Sequence, residues 1–184
     1  MKVVLLDTSY PINSRNSKII QSLSKSYPLA EIHQVTWDRN GSNPEIDNPL
    51  IHIYKKKSPT GKLWLKAKNL WGYKCFVHSI IRKIEPDIVI ASHWDTLLIV
   101  PRLKRGGQRL IYENLDVPTG RFRAVFHFLE RWALKRTDLI IHASRFFKDL
   151  YPQSIKQIIL ENKPFFPVEN RMSNFNHKPL RIAY

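Results

Sequence analysis

The sequence has 184 residues and carries 30 lysines and arginines against 15 aspartates and glutamates, which gives a formal net charge of +15. A charge of this size favours an anionic partner. The single cysteine, Cys75, excludes an internal disulfide. No apolar run is long enough to cross a bilayer, so we expect any membrane contact to be peripheral.

Strand and helix patterns alternate along the first half of the chain. Short apolar runs rich in β-branched residues indicate buried strands, and apolar residues at helical spacing indicate helices. Asn13 and Ser14 are candidate caps of the first helix, which Pro28 ends. In chain order, the patterns predict a strand over Lys2–Leu6, that first helix, strands over Glu31–Trp37 and Leu50–Tyr54, and a long helix over Leu63–Ile84.

The central stretch predicts a strand over Asp87–Ala91, a helix over Thr96–Lys104 and a second strand over Arg109–Tyr112. This succession is a βαβ unit, which implies parallel strands joined by a right-handed crossover. In such sheets, ligands bind outside the carboxyl ends of the strands. Polar residues follow both strands, so we expect a site at this edge.

Four more elements follow in the same alternation. In chain order they are a helix over Phe122–Lys135 with Val125, Phe128, Leu129 and Trp132 facing inward, a strand over Asp138–His142, a helix over Arg145–Tyr151 and a strand over Gln157–Leu160. Alternating strands and helices predict a doubly wound α/β fold, with a mostly parallel sheet and helices on both faces.

Several segments resemble a known family in their order and spacing. They are PDIVIASHWDT, LIYENLD, TDLIIHASRFFKDLY, ILENKP and KPLRIAY. Together they are similar to the N-terminal, acceptor-binding domain of retaining glycosyltransferases of the GT-B architecture, which have two Rossmann-like domains.

The resemblance implies that the chain is the acceptor-side half of a longer enzyme. On this basis we expect a Rossmann-like acceptor-binding domain over 1–168, an interdomain linker over 169–178, and the first strand of a missing C-terminal domain over 179–184. That missing domain would bind the nucleotide-sugar donor. We expect no cofactor in this fragment, and we expect it to be inactive alone, although the parent would be a hexosyltransferase.

The candidate acceptor site combines the first loop with the ends of the central strands. Its residues are Asn13, Arg15, Asn16, His93, Asp95, Glu113, Asn114 and Asp116. Asp95 could instead cap a helix, the first-loop residues could be ordinary caps, and the last three could form a solvated turn. The sequence assigns no catalytic residue and shows no metal-ligand spacing.

A basic segment without any acidic residue runs from Asn48 to Ile84. Cationic residues interleaved with tryptophan and leucine are typical of a membrane-surface segment. The candidate membrane-surface residues are Lys55, Lys56, Lys57, Lys62, Trp64, Lys66, Lys68 and Trp71. A solvated helix face is the plainer interpretation, and a nucleic-acid patch ranks lower because no nucleic-acid-binding motif accompanies the charge.

These observations lead to one expected function and one alternative. We expect the parent enzyme to transfer a sugar to a lipid-linked saccharide or polysaccharide acceptor at the cytoplasmic face of a membrane. The expected partners are that acceptor, an anionic membrane surface and the missing domain, with no nucleic acid. The alternative is a non-catalytic basic α/β module that binds nucleic acid or another polyanion.

Overall fold

The computed structural model describes residues 1–58, 63–100, 106–117 and 123–161. Within them, seven strands form one sheet in which every neighbouring pair is parallel. The strands are β1 (Lys2–Leu6), β2 (Glu31–Asp38), β3 (Ile51–Lys55), β4 (Ile88–Ser92), β5 (Arg109–Asn114), β6 (Leu139–His142) and β7 (Lys156–Ile159). Their order is β3-β2-β1-β4-β5-β6-β7, so the doubly wound prediction is confirmed.

The helices follow the predicted order. They are α1 (Ser14–Ser26), α2 (Leu63–Ile84), α3 (His93–Ile99), α4 (Arg123–Leu134) and a 3₁₀ helix (Arg145–Leu150). The prediction for α3 was misplaced, because the helix begins at His93 rather than Thr96. Asn13 caps α1, since its side chain accepts a hydrogen bond of 2.8 Å from the Asn16 N–H.

The two faces of the sheet bury separate apolar clusters. Strand residues alternate between the faces because successive side chains of a strand point to opposite sides. On one face, Val3 and Leu5 pack with α1 through Ile19, Ile20 and Leu23. On the other face, α2, α3, α4 and the 3₁₀ helix cover a larger cluster. Helices therefore lie on both faces, as the sequence predicts.

The inward face of α4 differs from the prediction. Val125, Phe128, Leu129 and Trp132 are exposed, and the residues that α4 buries are Glu130, Ala133 and Leu134. The periodicity was misleading because the buried face contains a carboxylate. Glu130 is accepted in the interior because it has hydrogen-bond donors there, as described in the Discussion.

Some predictions fall outside the described residues. They are Lys62, the side chains of Trp64 and Lys66, the interdomain linker over 169–178 and the strand over 179–184. In the part of the chain that the structure describes, no helix is both long and apolar enough to span a membrane.

Candidate functional site

The sheet reverses its winding between β1 and β4, where the chain leaves these neighbouring strands in opposite directions. In an open parallel sheet, such a point creates a crevice outside the carboxyl ends of the strands. A cleft of about 420 Å³ lies there. It is lined by Thr8, Ser9, Tyr10, Trp37, Arg39, Asn40, His93, Trp94, Asp95 and Asp116.

His93 stands at the rim of the cleft in an unusual backbone conformation. Its φ of 71° lies in the left-handed region, which residues other than glycine seldom adopt. Its Nδ1 lies 3.5 Å from Asp116 Oδ1. Burial alone would lower the pKa of His93, but the Asp116 hydrogen bond and the negative charges of Asp95, Asp116 and Asp7 together raise it.

Asp95 lines the cleft from the first turn of α3. Its Oδ1 accepts a hydrogen bond of 2.9 Å from the Thr96 N–H, and its Oδ2 accepts one of 3.2 Å from the Thr8 hydroxyl. Arg39 Nη2 lies 3.5 Å from the same Oδ2. Burial raises the pKa of Asp95, although His93, Arg39 and these hydrogen bonds act against the shift. The capping interpretation of Asp95 is wrong, because Ser92 is the N-cap of α3 and no side chain among the described residues caps this helix start.

Three aromatic side chains are among the remaining residues that line the cleft. Trp37 is buried, and the Arg39 guanidinium carbon lies 4.5 Å from the centre of its ring. Trp94 packs against Phe126 with 4.6 Å between the ring centres. Tyr10 contributes a third aromatic side chain from the first loop. The cleft thus combines aromatic rings with carboxylate, amide and hydroxyl groups.

A buried polar network lies beside the cleft and contains four of the predicted site residues. Asp7 accepts hydrogen bonds of 2.9 Å from the Asn13 amide and 2.7 Å from the Asn16 amide. The Ser92 hydroxyl lies 2.8 Å from Asn16 Oδ1 and 2.6 Å from Glu113 Oε2. Glu113 in turn pairs with Arg15 at 2.5 Å. The network connects β1, α1, β4 and β5, so it fixes the strand ends that carry the cleft.

The eight candidate acceptor residues thus divide into groups. His93, Asp95 and Asp116 line the cleft together, whereas Asn13, Arg15, Asn16 and Glu113 belong to the buried network. Asn114 is also buried, and its amide nitrogen lies 3.3 Å from His142 Nδ1. The remaining cleft residues were not predicted. Those at the end of β2 could have been found from the rule that ligands bind at strand ends.

We expect Asp116→Asn to lower the pKa of His93. The substitution removes a negative charge and weakens a hydrogen bond that favours the charged imidazole, while burial continues to oppose that form. The pKa can be measured by following the imidazole signal of His93 by NMR against pH. The control is Asp149→Asn, which removes an exposed carboxylate on the 3₁₀ helix and should leave the pKa of His93 unchanged.

The same shift affects stability. The pKa of His93 is raised on folding above the ordinary 6.5, so its charged imidazole stabilises the folded state, and this stabilisation is fully present below pH 6.5. The stabilisation is lost as the pH rises through the folded-state pKa. Identical His93 titrations in the wild type and in Asp116→Asn would contradict the assignment of Asp116 as the partner of His93.

No protein-family model matches the sequence, and no curated protein matches it either. Solved structures do match. Sucrose-phosphate synthase from Thermosynechococcus elongatus aligns with a TM-score of 0.60 and 10% identity over 87% of this chain and 47% of that one. The fold is Rossmann-like, which is consistent with neighbours of the GT-B architecture. The chain spans about half the length of this protein and of the two described next.

Two further structures give the same result for the fold. UDP-GlcNAc 2-epimerase from Neisseria meningitidis, bound to UDP-GlcNAc, has a TM-score of 0.59 and 10% identity over 86% of this chain and 45% of that one. MurG from Acinetobacter baumannii has a TM-score of 0.57 and 11% identity over 89% of this chain and 46% of that one. Since unrelated activities can share a fold, the function must be argued from the cleft.

Proposed function

We propose that this chain is the acceptor-binding half of a glycosyltransferase that transfers a sugar from a nucleotide-sugar to a membrane-associated saccharide. The composition of the cleft at the winding reversal is the main support. A saccharide presents hydroxyl groups that donate to carboxylates and C–H faces that pack on aromatic rings. Asp95 and Asp116 supply the acceptors, and Tyr10 and Trp94 supply the rings.

The residues of this half would position the acceptor. Asp95 and Asp116 would accept hydrogen bonds from its hydroxyl groups, and the His93 imidazole would hold the Asp116 carboxylate in place. The buried network would fix the position of the first loop relative to the end of β4. The nucleotide-sugar would bind residues outside this half, as the resemblance implies. No group of His, Cys, Asp and Glu in the described part of the chain could hold a metal ion.

The basic segment supports a peripheral position at the cytoplasmic face of an anionic membrane. Lys55, Lys56, Lys57 and Lys68 are exposed. Trp71 is 64% exposed, and Lys74 Nζ lies 4.2 Å from the centre of its ring. Lysines near an anionic leaflet contribute about 1 kcal/mol each. The segment would hold the cleft close to a lipid-linked acceptor.

Binding to an array of immobilised oligosaccharides tests the proposal. We expect the chain to bind a subset of the saccharides, and Asp95→Asn to weaken that binding by about 10-fold to 100-fold, the effect of losing a charged hydrogen-bond acceptor. Asp116→Asn should act in the same direction, whereas Asp149→Asn should bind like the wild type. Circular dichroism verifies that each variant is folded.

The alternative, a polyanion-binding module, is motivated by the net charge of +15. Gel shifts with random duplex DNA over a salt series separate the two functions. Submicromolar DNA binding with a steep salt dependence, combined with no saccharide bound on the array, would reject the glycosyltransferase proposal. Weak DNA binding that Asp95→Asn does not change, together with saccharide binding on the array, would support the glycosyltransferase proposal.

A further inference from the structure

The outward face of α4 carries a partly exposed apolar stripe. Val125 is 55% exposed, Phe128 71%, Leu129 37% and Trp132 39%. Their spacing of three and four residues places them on one side of the helix. Phe128 also shares a cavity of about 420 Å³ with Leu150 of the 3₁₀ helix, where Leu150 is 58% exposed. Exposed apolar side chains therefore lie on both α4 and the 3₁₀ helix at the rim of this cavity, which His127 and Arg131 also line.

The exposed charges beside this stripe are mostly positive, and Asp149 of the 3₁₀ helix is an exposed carboxylate near them. Arg131, Lys135 and Arg136 are exposed at the end of α4 and in the turn that follows. The one acidic residue of the helix, Glu130, is 2% exposed and faces inward. An apolar stripe bordered by cations is the pattern of a helix that lies in the surface of an anionic bilayer.

We propose that this surface of α4, the stripe of Val125, Phe128, Leu129 and Trp132, inserts into the headgroup region of an anionic membrane. The inference rests on the proposed function in that the acceptor is membrane-associated, but it concerns a different surface from the basic segment at β3 and α2. That segment attracts the membrane by charge, with Trp71 as its exposed ring. The α4 stripe adds the apolar area that charge alone does not supply.

A bilayer fits this surface better than a second copy of the chain. A symmetric dimer through the stripe would bring the same patch of each subunit together, and with it Arg131 and Lys135 of both copies. Asp149 of each copy would offset only part of this positive charge, so the two borders would still repel each other. An anionic lipid surface instead neutralises them while the apolar side chains leave water.

Sedimentation with vesicles tests the inference. The full chain is mixed with vesicles of phosphatidylglycerol and phosphatidylcholine, and with vesicles of phosphatidylcholine alone. We expect Phe128→Gln combined with Trp132→Gln to weaken binding to the anionic vesicles by about tenfold or more. Leu29→Gln is the matched control, because Leu29 is 97% exposed in the turn before β2 and should have no effect.

A depth measurement gives an independent readout. In a Cys75→Ser background, a spin label is attached at Trp132→Cys or at Leu29→Cys, and its collisions with dissolved oxygen are measured by electron paramagnetic resonance. Anionic vesicles should increase the oxygen accessibility of the label at position 132 and leave position 29 unchanged. Unchanged accessibility at 132, or binding to vesicles that the double substitution does not weaken, would overturn the inference.

Two further outcomes are decisive. A wild-type dimer in sedimentation velocity that Phe128→Gln converts to a monomer, with vesicle binding unaltered, would assign the stripe to self-association and reject the membrane. The saccharide array uses soluble conditions and a different surface. A failure of the array with intact insertion of α4 would therefore reject the proposed function alone, and the reverse result would reject only this inference.

Discussion

Replacing Arg15 with alanine is expected to lower the free energy of unfolding by about 3–5 kcal/mol. Arg15 Nε lies 2.5 Å from Glu113 Oε1, and the exposed fractions of the two side chains are 8% and 0%. The substitution leaves the Glu113 carboxylate buried with the Ser92 hydroxyl as its remaining hydrogen-bond partner among the described residues. Burying a charge without its counter-ion costs far more than the pair contributes when intact.

Urea denaturation of the wild type and of the variant measures this loss. Arg145→Ala is the matched control, because Arg145 Nη2 pairs with Glu161 at 3.1 Å and the Arg145 side chain is 69% exposed. Exposed pairs contribute about 0–1 kcal/mol, so the control should be nearly as stable as the wild type. Equal losses in Arg15→Ala and Arg145→Ala would contradict the description of a buried ion pair.

A double substitution distinguishes the charge from the packing. Arg15→Leu combined with Glu113→Leu removes both charges and retains apolar volume, so we expect it to recover most of the stability that Arg15→Ala loses. The saccharide array adds a functional readout. Because Arg15 and Glu113 lie in the buried network and outside the cleft lining, any effect on binding should come from movement of the strand ends rather than from a lost contact.

The fold was predictable because a parallel sheet buried on both faces requires continuous apolar strands. Val3 to Leu6 and Ile88 to Ala91 are such runs, and each ends at a polar residue where the cleft begins. The helix starts were less predictable. His93 continues the chain into α3 through a left-handed backbone conformation, which no local sequence rule assigns to histidine.

The candidate site was predictable in position and only partly in membership. Strand ends were correctly expected to gather polar residues, and His93, Asp95 and Asp116 line one cleft. Glu113 lies on β5, where its side chain is buried and pairs with Arg15 of α1, whereas Asp116 lies beyond the end of the strand and lines the cleft. Such long-range partners are set by tertiary packing, which a single sequence does not reveal.

The second large effect on stability is expected at Glu130, on the buried face of α4. Glu130→Leu is expected to lower the free energy of unfolding by about 1–3 kcal/mol, because it removes the acceptor that two buried hydroxyl groups share. The Tyr112 and Tyr151 hydroxyls also hydrogen-bond each other, so one of them can still donate to the other and one loses its acceptor. The hydroxyls of Tyr112 and Tyr151 each lie 2.8 Å from Glu130 Oε1. Burial, reinforced by the Glu130 charge, raises the pKa of both phenols well above the ordinary value, so both remain hydrogen-bond donors throughout the accessible pH range.

The loss should depend on the hydroxyl groups rather than on the volume of residue 130. Tyr112→Phe and Tyr151→Phe, added to Glu130→Leu, remove both donors with the acceptor and should restore most of the lost stability. Glu130→Gln retains an acceptor oxygen, so it should lose less stability than Glu130→Leu. Thermal and urea unfolding of these variants provide the measurements. If the triple variant is no more stable than Glu130→Leu alone, unpaired donors are not the cause, and the inward orientation of this face of α4 would need another explanation.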